Sequence, residues 1–210
     1  MLEKMKKILK KNYKFVVLLI CVIIVLAIIE DVFEKETMTI DSIIYKIIVQ
    51  NMRNDVLTSV FKVITNFGGA YLLISISIIS LIFIKDKKIS LGICFNLVIA
   101  TILNIVLKNI VERPRPIGYR LIDESGYSFP SGHSMISAAF YGLIIYFIWK
   151  NMKNKKARII CCTLLGILIA LIGISRIYLG VHYASDVIGG FLISLAYLII
   201  FTSTFKVIFK

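Results

Sequence analysis

Histidine is the scarcest reactive residue in this sequence: 210 residues hold two, His133 and His182. Proline is almost as rare, with three, and Pro114, Pro116 and Pro130 all fall in one stretch. Acid is short as well, 12 Asp and Glu against 25 Lys and Arg, for a net charge of +13. The four cysteines, Cys21, Cys94, Cys161 and Cys162, lie inside apolar runs, and none is paired as Cys-x-x-Cys. They read as small hydrophobes, so neither a disulfide framework nor a zinc site is expected. No cluster of carboxylates suggests a bound metal, and no cofactor is expected. No nucleic-acid partner is expected from the basic excess, because the cations sit in short clusters between apolar runs.

Apolar residue is what the chain has in abundance. Its hydrophobic share is 59% and its mean hydropathy +0.89, against roughly 45–50% apolar residues in a soluble domain. Six apolar segments stand out: Phe15 to Ile29, about Val60 to Ile84, about Ile89 to Val111, Ser134 to Trp149, about Ala157 to Ser175, and about Val187 to Phe205. A spanning helix needs about 17–25 such residues. The first run is short, and Tyr13 and Lys14 extend it by snorkelling. Its basic start resembles a signal peptide, but Glu30-Asp31-Val32-Phe33 follows with no small-residue cleavage pattern, so an uncleaved helix is expected. The predicted fold is all-α: one integral membrane domain over 1–210 with six transmembrane helices.

Charge orients the spans. Basic clusters precede the first (Lys4, Lys6, Lys7, Lys10, Lys11, Lys14), separate the second from the third (Lys85, Lys87, Lys88) and the fourth from the fifth (Lys150, Lys153, Lys155, Lys156, Arg158), and follow the sixth (Lys206, Lys210). With six spans all four fall on one side, which the positive-inside rule makes cytoplasmic. Both termini then lie inside. The connection from Glu30 to Ser59 lies outside. Within it Ile40, Ile43, Ile44, Ile47 and Ile48 recur at helical spacing, and Asp41 is placed to cap a start. A short interfacial helix is expected over residues 37–55, either gating entry from the lipid or covering the helix ends.

The remaining outside loops hold the reactive residues. Lys108, Arg113, Arg115, Arg120 and Arg176 break the charge trend there. Lys108 and Arg115 are seven positions apart, two helical turns, so both face one cavity if the helix persists. Converging guanidinium and ammonium groups form an anion clamp. In Pro130-Ser131-Gly132-His133, Ser131 is a candidate N-cap, Gly132 permits close approach of backbone to a ligand, and His133 enters the first helical turn. His182 and Asp186 are spaced i, i+4, so one helical face presents both. The carboxylate would fix one imidazole tautomer and leave the other ring nitrogen as nucleophile.

Together Lys108-x6-Arg115-Pro116, Pro130-Ser131-Gly132-His133 and Ser175-Arg176-x5-His182-x3-Asp186 resemble the signature of the type 2 phosphatidic acid phosphatases. Their superfamily also includes vanadium-dependent haloperoxidases and bacterial non-specific acid phosphatases. The motifs span 108–186 with no signature position departing, and the small size and Glu112-Arg113-Pro114-Arg115-Pro116 context look most like bacterial phosphatidylglycerophosphatase B-type membrane enzymes. The resemblance implies a metal-independent lipid phosphatase with a phosphohistidine intermediate. His182 would be its nucleophile, Asp186 the partner that orients it, and His133 the acid and base. Lys108, Arg115, Arg176, Ser131 and Gly132 would bind the phosphate. Phosphatidylglycerophosphate, phosphatidic acid and undecaprenyl pyrophosphate are the implied substrates. A phosphotransferase using the same histidine, or a transporter, is the alternative.

Overall fold

The computed structural model describes residues 2–34 and 38–208, with side chains for 12–34 and 38–205. Thr37, Lys210 and the side chains of Lys4, Lys6, Lys7, Lys10, Lys11 and Lys206 lie outside the described residues. The described residues are helical and contain no strand. The helices are α1 (Leu2–Phe33), α2 (Thr39–Tyr45), α3 (Asp55–Asn66), α4 (Ala70–Phe83), α5 (Lys87–Val111), α6 (Gly132–Asn151), α7 (Lys155–Tyr178) and α8 (Ala184–Ile208). Side-chain oxygens of Asn54, Asp86, Ser131 and Asn154 accept from early backbone N–H groups of α3, α5, α6 and α7, satisfying donors that a helix start leaves orphaned.

Five helices are long and apolar enough to cross a membrane: α1 from Asn12, α5, α6, α7, and α8 to Phe205. A bent pair, α3 with α4, is a sixth candidate if counted as one span. In the central helix, α6, 50% of the apolar window is buried against protein; in α1 the share is 6%. α6 packs on α5, α7 and α8, while α1 lies on α8, α3 on α7, and α4 on α5. Water does not drive helices together in lipid, so packing and interhelical hydrogen bonds carry the association. Asn96 Nδ2 donates to Ala139 O at 3.1 Å between α5 and α6, and Ser194 Oγ to Met135 O at 2.6 Å between α8 and α6.

The run expected to continue from Val60 to Ile84 is instead bent by 42° between Asn66 and Ala70. Gly68 and Gly69 relax the helix into tighter bonds, Gly68 N to Thr65 O and Gly69 N to Asn66 O. The carbonyl freed at Phe67 takes the Tyr141 hydroxyl at 2.7 Å. A break at membrane depth is tolerated when neighbours satisfy the released groups in this way. The bend leaves Thr65, on the last turn of α3, beside Arg176.

α2 lies within the predicted connecting segment and continues as a π-helical turn, Lys46–Gln50. Ile44 and Ile48 pack against the cluster of Ile177, Ala184 and Val187, while Ile40, Ile43 and Ile47 face outward. Asp41 does not cap this helix. The cap position is Met38, with no side-chain bond, and the buried Asp41 carboxylate turns inward to Arg113 and Ser185. An ion pair in the interior outweighs one exposed capping bond here.

Candidate functional site

The loop after α5, the start of α6 and the connection from α7 to α8 meet at one end of the bundle. Arg53 draws the α3 side in, donating to Tyr178 O at 2.7 Å and Tyr119 O at 2.8 Å. Gly180 permits the closure. Its φ is +73, and a Cβ there would sit 2.2 Å from Tyr119 O, so a side chain is excluded both by conformation and by space. Ser131 N donates to Asp186 O at 3.1 Å, fixing the start of α6 to that of α8.

Lys108 and Arg115 converge, but not by helical periodicity. α5 stops at Val111, and Glu112 caps it in the left-handed region at φ 49. Arg115 therefore reaches the site from the loop, with its guanidinium on Gly126 O, Ser125 O and Val181 O. Lys108 Nζ donates to Tyr127 O and interacts electrostatically with Arg115, Arg176, Glu124 and Asp186. Arg176 is 1% exposed. Its Nη1 donates to Thr65 Oγ1 at 2.6 Å and its Nη2 pairs with Glu124, yet among the described residues its Nε has no hydrogen-bond partner. An orphaned buried guanidinium donor is costly and marks a place where an acceptor belongs.

His182 is 3% exposed, and its two ring nitrogens have different tasks. Arg115 Nη1 lies 3.0 Å from Nε2. An arginine can only donate, so Nε2 carries a lone pair and the ring proton sits on Nδ1. Nδ1 faces Asp186 Oδ2 at 3.4 Å and Ser128 Oγ at 3.3 Å. The pair is not two rungs of one helical face, because α8 starts at Ala184. Asp186, in the first turn of that helix, reaches back to Tyr183 N at 2.8 Å and to the ring. Ser128 Oγ donates to the same carboxylate oxygen at 2.5 Å. Burial pushes the His182 imidazole down to about 4; Asp186 pulls it up, and Arg115 and Arg176 push it down further.

His133 occupies the first turn of α6, its ring beside Gly68, and interacts electrostatically with Arg176, Glu124, His182 and Arg115. Ser131 caps α6; its Oγ accepts from Ser134 N at 3.4 Å and Ser134 Oγ at 2.9 Å. A Cβ on Gly132 would meet Asn104 Oδ1 at 3.1 Å and Lys108 Cε at 3.9 Å, so its bare backbone borders Lys108. The eight residues of the family-like signature, Lys108, Arg115, Ser131, Gly132, His133, Arg176, His182 and Asp186, thus gather at this end. Four others join them: Glu124 and Ser128, which carry no local signal, Arg113, marked in the sequence only by its break in the charge trend, and Asp41, marked only as a cap candidate. The Glu124 carboxyl, which burial alone would raise, is held below its usual range, chiefly by Arg176 and then by His133 and Arg115. Among the described residues no three His, Cys, Asp or Glu side chains are grouped to hold a metal ion. A cavity of about 380 Å³ adjoins His182 and Asp41, lined also by Tyr45, Lys46, Tyr119 and Tyr183.

Fold and site together define a multi-pass membrane protein with a buried histidine facing a cluster of cations. The chain belongs to the PAP2 superfamily, whose profile matches residues 90–209. It is 42% identical over 151 residues to phosphatidylglycerophosphatase B of Bacillus subtilis, covering 69% of this chain and 73% of that protein. It is 31% identical over 137 residues to an undecaprenyl-diphosphatase of Sulfolobus acidocaldarius, covering 62% of each. The crystal structure of a transmembrane PAP2-type phosphatidylglycerolphosphate phosphatase from Bacillus subtilis superposes with a TM-score of 0.79 at 31% identity. That match takes in 94% of this chain and 98% of the other.

Proposed function

We propose that this chain is a membrane lipid phosphatase that removes the terminal phosphate of a lipid phosphate or diphosphate through a phosphohistidine at His182. The observation that carries the reading is the His182 ring, with its Nε2 lone pair toward Arg115 and its Nδ1 backed by Asp186. Its depressed basicity keeps the ring neutral, and so nucleophilic, at physiological pH. Lys108, Arg115 and Arg176 hold the phosphate oxygens, with the Ser131 hydroxyl and the Gly132 N–H completing the shell. Phosphoryl transfer rests mainly on positioning and charge stabilisation, which this donor set supplies. The phosphate takes the place of Glu124 against Arg176. Nε2 then attacks phosphorus in line, and the bond to the leaving oxygen breaks as His133 gives that oxygen a proton. His133 next takes a proton from water, whose oxygen attacks phosphorus and releases free phosphate and neutral His182.

Six spans, with α3 and α4 counted as one, put both termini in the cytoplasm and the site at the extracytoplasmic surface, with α2 in the interface. The basic clusters support this orientation. Among substrates, the relative at 42% identity favours phosphatidylglycerophosphate; the outward site and the 31% identical relative favour a polyprenyl diphosphate as the second reading. The test is phosphate release by the purified protein from phosphatidylglycerophosphate, phosphatidic acid and undecaprenyl pyrophosphate, in excess chelator and with and without vanadate. Vanadate-sensitive release is expected on at least one lipid, with trapping of a phosphoenzyme. His182→Ala should lose turnover by about 10⁴-fold or more and trap none. Release from no lipid, or turnover surviving in His182→Ala, would overturn the assignment.

A further inference from the structure

Asp41 and Arg113 have no task in the mechanism above, yet both are buried and lie directly behind Asp186. Arg113 Nη1 donates to Asp186 Oδ1 at 2.6 Å and Ser185 Oγ at 2.7 Å, and its Nη2 donates to Asp41 Oδ2 at 2.9 Å. Asp41 also accepts from Ser185 N at 2.8 Å and from Ser185 Oγ at 2.7 Å. The guanidinium lies over the Tyr183 ring, 4.1 Å from its centroid. We infer that Asp41 and Arg113 are positioning residues for the reaction: they fix the Asp186 carboxylate behind the His182 ring, so that the segment between α1 and α3 completes the catalytic geometry. This inference rests on His182 being the nucleophile and Asp186 its partner.

The division of labour on Asp186 supports it. Its Oδ2 serves Tyr183 N, Ser128 and the ring, while among the described side chains Arg113 alone donates to Oδ1. A planar guanidinium anchored along one edge by Asp41 and stacked on Tyr183 presents Nη1 in a single direction. Charge points the same way. A lone arginine against Asp186 would neutralise it and weaken it as an acceptor for the Nδ1 proton. Asp41 shares that positive charge, leaving one net negative charge behind the ring. A phosphohistidine ring is cationic, so this charge stabilises the intermediate.

The test uses the full-length protein in detergent, with the lipid phosphate it hydrolyses fastest and with vanadate as an inhibitor. Asp41→Asn should lower kcat by roughly 10- to 100-fold, the scale seen for outer-shell partners of functional histidines. KM and the vanadate inhibition constant should stay within about twofold, because Lys108, Arg115 and Arg176 are untouched. In an Arg113→Lys background, Asp41→Asn should add little further loss, since the two act as a unit. A merely structural tether would instead weaken vanadate binding in proportion to kcat. That result, or a wild-type kcat in Asp41→Asn, would sink the inference. If Asp41→Asn does not fold, Ser185→Ala decides: a severalfold drop in kcat with unchanged vanadate inhibition supports the pair, and an unchanged kcat overturns it. His182→Ala run alongside separates the two ideas. Activity surviving there sinks the nucleophile assignment, whereas its loss beside a fully active Asp41→Asn sinks this inference only.

Discussion

The two sides of the His182 ring balance their charges differently. Behind it, Asp41 and Asp186 share Arg113, and Ser185, Ser128 and Tyr183 N fill the remaining acceptor sites. In front, Lys108, Arg115 and Arg176 gather around one carboxylate among the described residues, Glu124, whose second oxygen is 3.8 Å from Arg115. One side is complete with the chain's own groups. The other carries surplus cations and an orphaned Arg176 Nε. Buried like charges are expensive unless something offsets them, so the front is arranged for an anion brought from outside, and the back is arranged to keep its shape while the front changes.

The largest effect that would break this contrast is in the clamp. Arg176→Lys replaces a fork joining Thr65 and Glu124 by a single ammonium group, which cannot reproduce bidentate contacts. A loss of about 10²- to 10³-fold in kcat/KM is expected, on the scale of removing one transition-state donor. The vanadate inhibition constant should rise with it. Arg113→Lys, on the other side of the ring, should leave vanadate inhibition close to wild type. Equal weakening in both variants would erase the distinction between front and back.

A second measurement reads the ring itself. The His133→Gln variant contains one histidine, so ¹⁵N ring signals from it belong to His182 alone. The midpoint should lie near 4, below the 6.5 or so of an unperturbed imidazole. The sign for stability follows. Between those values the unfolded chain takes up a proton that the folded chain does not, so folding stability is intact above the upper value and falls as pH drops through that window. A midpoint near 6.5 would mean that the cations in front do not act on the ring and that the site admits water freely.

Much of this arrangement was legible in the sequence, and what was not has a common cause. Apolar runs are local, so the approximate bounds of α5 to α8 follow from hydropathy, and the eight motif residues stand in three short segments whose order resembles a family signature. The route was misread where tertiary demands overrode regular geometry. Lys108 and Arg115 meet through a loop beyond a left-handed Glu112, and His182 precedes the helix that carries Asp186. The Gly68-Gly69 pair was visible, but whether it breaks the helix depends on Tyr141, far along the chain, being there to take the Phe67 carbonyl. Local spacing suggests a cap at Asp41, whereas its actual partner, Arg113, lies 72 positions away. Glu124 and Ser128 sit in an aperiodic loop, where no pattern distinguishes a buried side chain from a solvated one.

The smallest expected effect tests whether the front is held by packing as well as by charge. An alanine at Gly68 would place its Cβ 2.7 Å from Ile172 Cγ2 and 3.3 Å from His133 Cδ2. Ile172 is fully buried and stiff at χ1, so the His133 ring is the neighbour that can yield. In the proposed mechanism, displacing His133 by a few tenths of an ångström weakens proton transfer to the leaving oxygen without removing any cation. Gly68→Ala should therefore lower kcat severalfold, cost about 1–3 kcal/mol of stability as overpacking does, and leave vanadate inhibition nearly unchanged. Adding Ile172→Ala removes the methyl in the way and should restore much of the rate. If the double variant stays slow while the single variant folds normally, the loss lies in the bend between α3 and α4 rather than in the wall behind His133. If Gly68→Ala is fully active, His133 is not positioned by that wall at all, and the front of the site depends on its charges alone.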